Sequence, residues 1–144
     1  MNENVLNQKL ADIANYQGSF AADELNQIKL VPKTLVTVNL DKRSETGSHW
    51  IGLYIDKHMV IICDSLGGII PSAEFPHDLV QFLYRLTISR QLIITKQLQP
   101  DNSSLCGFYV VHFIRELSRG SFHDFISVFS SNLRQNDILI KFLV

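Results

Sequence analysis

Short apolar runs alternate with polar punctuation along the whole chain, and the spacing inside each run predicts an element. Leu6, Leu10 and Ile13 recur at helical spacing among good helix formers that stop near Gly18, which predicts an amphipathic helix over residues 3–15. A short helical turn is expected after Asp23. Thr34–Asn39, Trp50–Ile55 and Met59–Cys63 are rich in β-branched and aromatic residues and bounded by turn formers, the pattern of three strands. Asp56-Lys57-His58 is short enough to join the last two as an antiparallel hairpin. Leu79, Val80, Phe82, Leu83 and Leu86 form one apolar face of a helix begun at Pro76, since proline is tolerated in a first turn. Gln91–Leu98 returns to strand composition. After polar Pro100–Ser104 a helix is expected from about Leu105 to Arg119, with Gly120 ending it. Ser121, followed three residues later by Asp124, reads as a cap for a short helix through Phe129, and Asn136 as the cap of a last one through Leu143. Strands clustered between helices, with a tight hairpin, predict an α+β layer architecture over a doubly wound parallel sheet.

Composition narrows what such a domain can do. The 144 residues favour one domain spanning 1–144, and 46% apolar against 19% charged residues argues for a packed core and against disorder. Thirteen basic and fourteen acidic residues leave a formal charge of −1, so the global positive field of non-specific nucleic-acid binding is missing. Lys42-Arg43 and the Arg115/Arg119 pair read as solvated surface. The longest apolar runs fall far short of the roughly 18 residues that cross a bilayer, so no membrane partner is expected. Met1–Asn4 has neither the basic start nor the apolar core of a secretory signal. The two cysteines, Cys63 and Cys106, are too few for a disulfide scaffold, and their spacing fits no usual zinc pattern. These points lead to the expectation of a reducing, intracellular compartment and of no metal or organic cofactor.

The candidate chemistry begins at Cys106, which a polar loop delivers to the start of an apolar helix. There the unpaired N–H groups and the helix dipole favour thiolate over thiol. Gly107 is expected to leave the adjacent backbone uncrowded. A nucleophilic thiol needs a base, and Gly47-Ser48-His49-Trp50 places an imidazole at the start of the hairpin's first strand. The base needs an orienting acid. A turn centred at Lys57 puts His49 opposite about position 65, one residue from Asp64 at the end of the second strand. The competing acid, Asp56, lies at the far end of the hairpin, about 20 Å along the strand, and reads as a turn residue. His112, six residues past Cys106, is rotated to another helix face and so is excluded as the base. His58, His77 and His123 read as solvated, and Cys63 as a buried structural thiol. Strand alternation sends Trp50 to core packing beneath the site, with a wall of the cleft as its second role.

Gly-Ser-His-Trp, then Asp-Ser-Leu-Gly, then Gln99 seven residues before Cys106-Gly107 resembles the adenain-like viral cysteine proteases of the adenovirus, virophage and Polinton type. Phe20-Ala21-Ala22-Asp23-Glu24-Leu25 adds to the likeness, which covers roughly residues 18–114. The same superfamily includes the SUMO-specific proteases, which carry a shorter Gln–Cys gap and an Asp where this chain has Leu105. The resemblance implies a papain-like, adenain-like fold with a mixed central sheet and the nucleophile at a helix start. It further implies Cys106 as nucleophile, His49 as base, Asp64 as orienter, and the Gln99 amide with the Cys106 N–H as oxyanion hole. Gln97 is the rival amide, on the same face of its strand and farther from the nucleophile. Gly47, Trp50 and Gly107 are expected to bind substrate.

The implied activity is endopeptidase cleavage at small, glycine-flanked sites through a thioester, in virion maturation. Its partners would be viral capsid or core precursors and an activating peptide, with the enzyme in the host cytoplasm or nucleus and packaged in the virion. The adenoviral enzyme also uses DNA, a dependence that the balanced charge argues against here. The alternatives are a deconjugase of a ubiquitin-like modifier and a non-catalytic binding module with the same fold.

Overall fold

The computed structural model describes residues 1–44, 49–67 and 75–144. Its centre is a five-stranded mixed sheet in the order β1-β2-β3-β4-β5. Strands β2 (Lys33–Asn39), β3 (Trp50–Asp56) and β4 (Met59–Cys63) run antiparallel in sequence, while β1 (Tyr16–Ala21) and β5 (Gln91–Ile94) flank them in parallel. Both faces are covered, so the central strands read as continuous apolar runs whose alternate residues belong to different cores. Ile61 and Cys63 pack under one layer; Val60 and Ile62 pack under the other.

On the first face lie α1 (Glu3–Lys9), α3 (Cys106–Ser118), α4 (Phe122–Ser127) and α5 (Leu133–Leu143). On the second lies α2 (His77–Thr87), which buries Leu79, Phe82, Leu83 and Leu86 and is joined there by a single 3-10 turn at Leu25–Gln27. The α3 helix comes close to the sheet at Gly52, where a Cβ would stand 2.6 Å from Phe113 Cδ1. Burial of an aromatic such as Phe113 is worth about 1.5–3 kcal/mol, so a side chain at position 52 would set that packing against its own volume. This contact fixes how α3, and therefore Cys106 at its first turn, sits over β3.

Five differences from the expected elements have local causes. Helix α1 ends at Lys9 instead of residue 15, because Leu10, Ala11 and Ile13 bond back in turns that deliver the chain to β1. Strand β1 escapes sequence reading because Gly18, at φ 119°, sits inside it and the pairing with β2 shifts between Tyr16 and Ser19. A glycine within a short strand marks such a bulge and weakens the alternating pattern. The predicted strand to Leu98 stops at Ile94, after which Leu98 and Gln99 both donate their backbone N–H groups to Ser65 O. The short helix capped by Ser121, whose Oγ accepts the Asp124 N–H at 3.0 Å, ends at Ser127, two residues before Phe129. The cap of α5 is Asn132, which accepts the Gln135 N–H; Asn136 lies inside the helix and is buried.

Candidate active site

The hairpin and the strand beside it bring the ends of three segments to one rim of the sheet. His49 immediately precedes β3, its carbonyl accepting the Leu40 N–H at 3.1 Å, and Asp64 immediately follows β4. Gly52 pairs with Cys63 and Ile55 with Val60, a register one residue from that of a turn centred at Lys57. The side chains nonetheless meet: His49 Nε2 lies 2.8 Å from Asp64 Oδ1. Asp64 is itself fixed, since its backbone exchanges two 3.1 Å hydrogen bonds with Thr95 Oγ1 and its Oδ1 also accepts the Leu66 N–H at 3.1 Å. Besides the acid, the imidazole has Cys106 as a hydrogen-bond partner.

Cys106 is the first residue of α3 and is 8% exposed. Burial alone would raise its thiol. The hydrogen bond from His49, joined by the backbone N–H groups of Trp50 and Gly107, more than offsets that and holds Cys106 below the ordinary thiol range. The same contacts act in reverse on His49: burial would lower it, but the Asp64 carboxylate and the Cys106 thiolate push it up to about 9. The pair therefore favours thiolate and imidazolium together, the reactive state of a nucleophilic cysteine.

Gln99 is 1% exposed. Its Nε2 donates to the Ser103 carbonyl at 2.8 Å, and its Oε1 accepts the Ser65 hydroxyl. Because a carbonyl can only accept, the Ser103 bond fixes which end of the amide is the donor. Nε2 keeps a second hydrogen, and an amide donor near a helix-start thiol can stabilise an oxyanion.

The rival residues fall elsewhere. Asp56 accepts from Tyr54 Oη and from the His58 and Met59 N–H groups, which makes it the acid of the hairpin turn. Gln97 donates to Gln99 O and Asp101 Oδ1; its segment is not a strand, so the alternation expected to align it with Gln99 does not apply. Cys63 is fully buried, and burial pushes its thiol well up. His58, His77 and His123 are exposed, whereas His112 is buried among Phe125 and Phe129. Arg43 is more than solvated surface, since it forms a two-pronged pair with Glu3 and a further one with Glu24.

Trp50 packs in the core beneath α3, and its indole N–H donates to Met1 O at 3.0 Å. The space beside Gly107 is not open as expected: a Cβ there would stand 2.8 Å from Met1 Cβ. Gly47 lies outside the described residues. Sequence reasoning missed the supports of the site, Ser65 and Thr95. Ser65 stood next to Asp64 in the Asp-Ser-Leu run, but Thr95 looked like any β-branched strand residue.

A thiol at a helix start facing a histidine on a mixed-sheet rim is the architecture of a cysteine protease. Over residues 7–141 the sequence matches the Ulp1 protease family, C-terminal catalytic domain, and the chain belongs to that family. In fold it is similar to the SUMO protease Ulp1, with a TM-score of 0.52 and 16% identity over 97% of this chain and 75% of that one. It is similar also to an ASFV protease, with a TM-score of 0.51 and 18% identity over 78% of this chain and 44% of that one. HopZ1a, in a complex with IP6 and CoA, shares the fold at a TM-score of 0.50 and 15% identity, over 81% of this chain and 39% of that one. No curated protein sequence matches the chain.

Proposed function

We propose that the chain is an endopeptidase that cuts polypeptides next to small residues, glycine above all, through a thioester acyl-enzyme. Cys106 attacks the scissile carbonyl. His49, held by Asp64, keeps the proton of the thiol and returns it to the leaving amine; Gln99 Nε2 and the Cys106 N–H receive the oxyanion. The observation that carries this reading is the coupled pair: His49 2.8 Å from Asp64 and raised, Cys106 lowered beside it. The preference for small residues is supported by the approach to the sulfur. Cys106 is 8% exposed, and Met1 is packed against Gly107 beside it.

The biological setting we propose is maturation of a virion of the adenovirus or virophage type. Its substrates are capsid or core precursors, and its places of action are the host cell interior and the particle. Support comes from the seven-residue step from Gln99 to Cys106 and from Leu105 in the position before the nucleophile. A second reading, removal of a ubiquitin-like modifier, is favoured by the family match and by the likeness to the SUMO protease Ulp1. Digestion of a diverse peptide library under reducing conditions, with new termini read by mass spectrometry, tests both. Cuts beside glycine that vanish in Cys106→Ala are the expected result. Intact peptides together with cleavage of a folded modifier conjugate would replace the first reading by the second.

A further inference from the structure

Asp64 holds the imidazole and Gln99 is the proposed oxyanion donor, and thirty-five positions of chain separate them. Ser65 joins them. It adjoins Asp64 and is fully buried. Its carbonyl accepts the Leu98 N–H at 2.8 Å and the Gln99 N–H at 2.9 Å, and its hydroxyl donates to Gln99 Oε1. One residue thus holds both the backbone and the side chain of Gln99 and ties them to the acid end of the hairpin.

Resting on the protease reading above, we infer that Ser65 is a positioning residue that aims the Gln99 amide at the oxyanion. A side-chain amide has two ends and turns about the single bond to its one neighbouring carbon, so one contact leaves it free to swing. Ser103 O holds Nε2 at 2.8 Å, and the Ser65 hydroxyl holds Oε1 on the other side. Together they leave the second Nε2 hydrogen in one direction, the preorganisation that makes an oxyanion donor effective. With Ser65→Ala, Oε1 loses its donor in a site where water has no access, and the amide turns toward whatever partner it finds. The thiolate pair, built from His49, Asp64 and Cys106, has no bond to the Ser65 hydroxyl among the described residues and keeps its state.

The test compares wild type, Ser65→Ala, Gln99→Ala and the double variant, using a glycine-flanked fluorogenic peptide and the pH profile of Cys106 alkylation by iodoacetamide. Ser65→Ala is expected to lower kcat about 10-fold with KM within twofold, and Gln99→Ala about 100-fold. The double variant should be no slower than Gln99→Ala, because the hydroxyl acts only through that amide. The alkylation profile should stay unchanged in all four. Full kcat in Ser65→Ala, losses that multiply in the double variant, or an alkylation profile displaced by Ser65→Ala would each overturn the assignment. Exchange of the Gln99 Nε2 hydrogens, followed by NMR without any substrate, gives an independent reading. It should quicken in Ser65→Ala, and an unchanged rate would also overturn the inference. A wild-type protein with no Cys106-dependent turnover but with this exchange effect would reject the protease reading and leave the Ser65 clamp standing.

Discussion

Two histidines on the α3 side of the molecule, one half-buried and one buried, show how differently the same ring behaves in two regions. At the rim, His49 meets a carboxylate and a thiolate, and although burial would lower it, these partners push it up to about 9. Half-way along α3, His112 sits between Phe125 and Phe129, with ring centroids 5.4 and 5.8 Å away, and its Nε2 has no hydrogen-bond partner among the described residues. Burial lowers it, Glu116 opposes the shift, and Arg115 and Arg119 add to it. Burial acts in the same direction on both rings. The partner decides whether the ring becomes an acid poised to give up a proton or a neutral part of the core.

The comparison breaks most visibly in activity. Cys106→Ala should abolish peptide cleavage and His49→Ala should lower kcat/KM by about 10³-fold or more, whereas His112→Phe should stay within threefold of wild type. An equal loss from His112→Phe, measured in the same assay, would mean that the aromatic region is part of the machinery. Next in size is the acid. Asp64→Asn should cost about 10²-fold, and it should also move the alkaline limb of the pH profile. In wild type kcat/KM falls as pH rises through about 9, where the imidazolium loses its proton, and without the carboxylate that limb shifts to lower pH.

Stability offers a finer test, because the two rings contribute with opposite sign. The raised His49 stabilises the fold fully below its unfolded value of 6.5, and that contribution is lost as pH rises through about 9. The lowered His112 does the reverse: the folded state prefers a neutral ring, so stability falls as pH drops below 6.5, where the unfolded chain takes up a proton. Thermal melts between pH 7 and 5 should therefore be flatter for His112→Leu than for wild type. The smallest effect expected is that of Cys63→Ala. Turnover should remain within twofold and stability should drop by about 1 kcal/mol in a denaturant titration, since this thiol packs beneath the sheet and has no role at the rim.

Much of this arrangement could be read from residue order because it depends on short-range rules. A short hairpin connection, here Lys57-His58, brings residues near its two open ends together whatever else the chain does, so residue order alone pairs His49 with Asp64, even with the register one residue off. A cysteine behind a polar loop and ahead of a broad apolar face is a helix start, which placed Cys106. Features that depend on distant segments were hidden. Strand β1 takes its place by pairing with β2 around the Gly18 bulge, and the stretch after Ile94 leaves the sheet because Ser65 O, far away in sequence, captures two of its N–H groups. The Asn136 side chain looked like a cap because asparagine usually is one. In the structure its buried amide holds Leu98 O and Ser130 O, a role with no local signature.

That asparagine gives the site a place in time as well as in space. The donor segment leading to Gln99 is held from behind by α5, through Asn136 Nδ2 to Leu98 O at 3.0 Å, while Asp137 Oδ1 accepts from Tyr109 Oη at 2.7 Å one turn beyond Cys106. Translation supplies α5 after every other element described here. On a ribosome, the segment before Gln99 and the first turn of α3 are therefore made before the helix that braces them. Those two holds, on Leu98 O and on Tyr109 Oη, thus come into being only once α5 has been made and has docked.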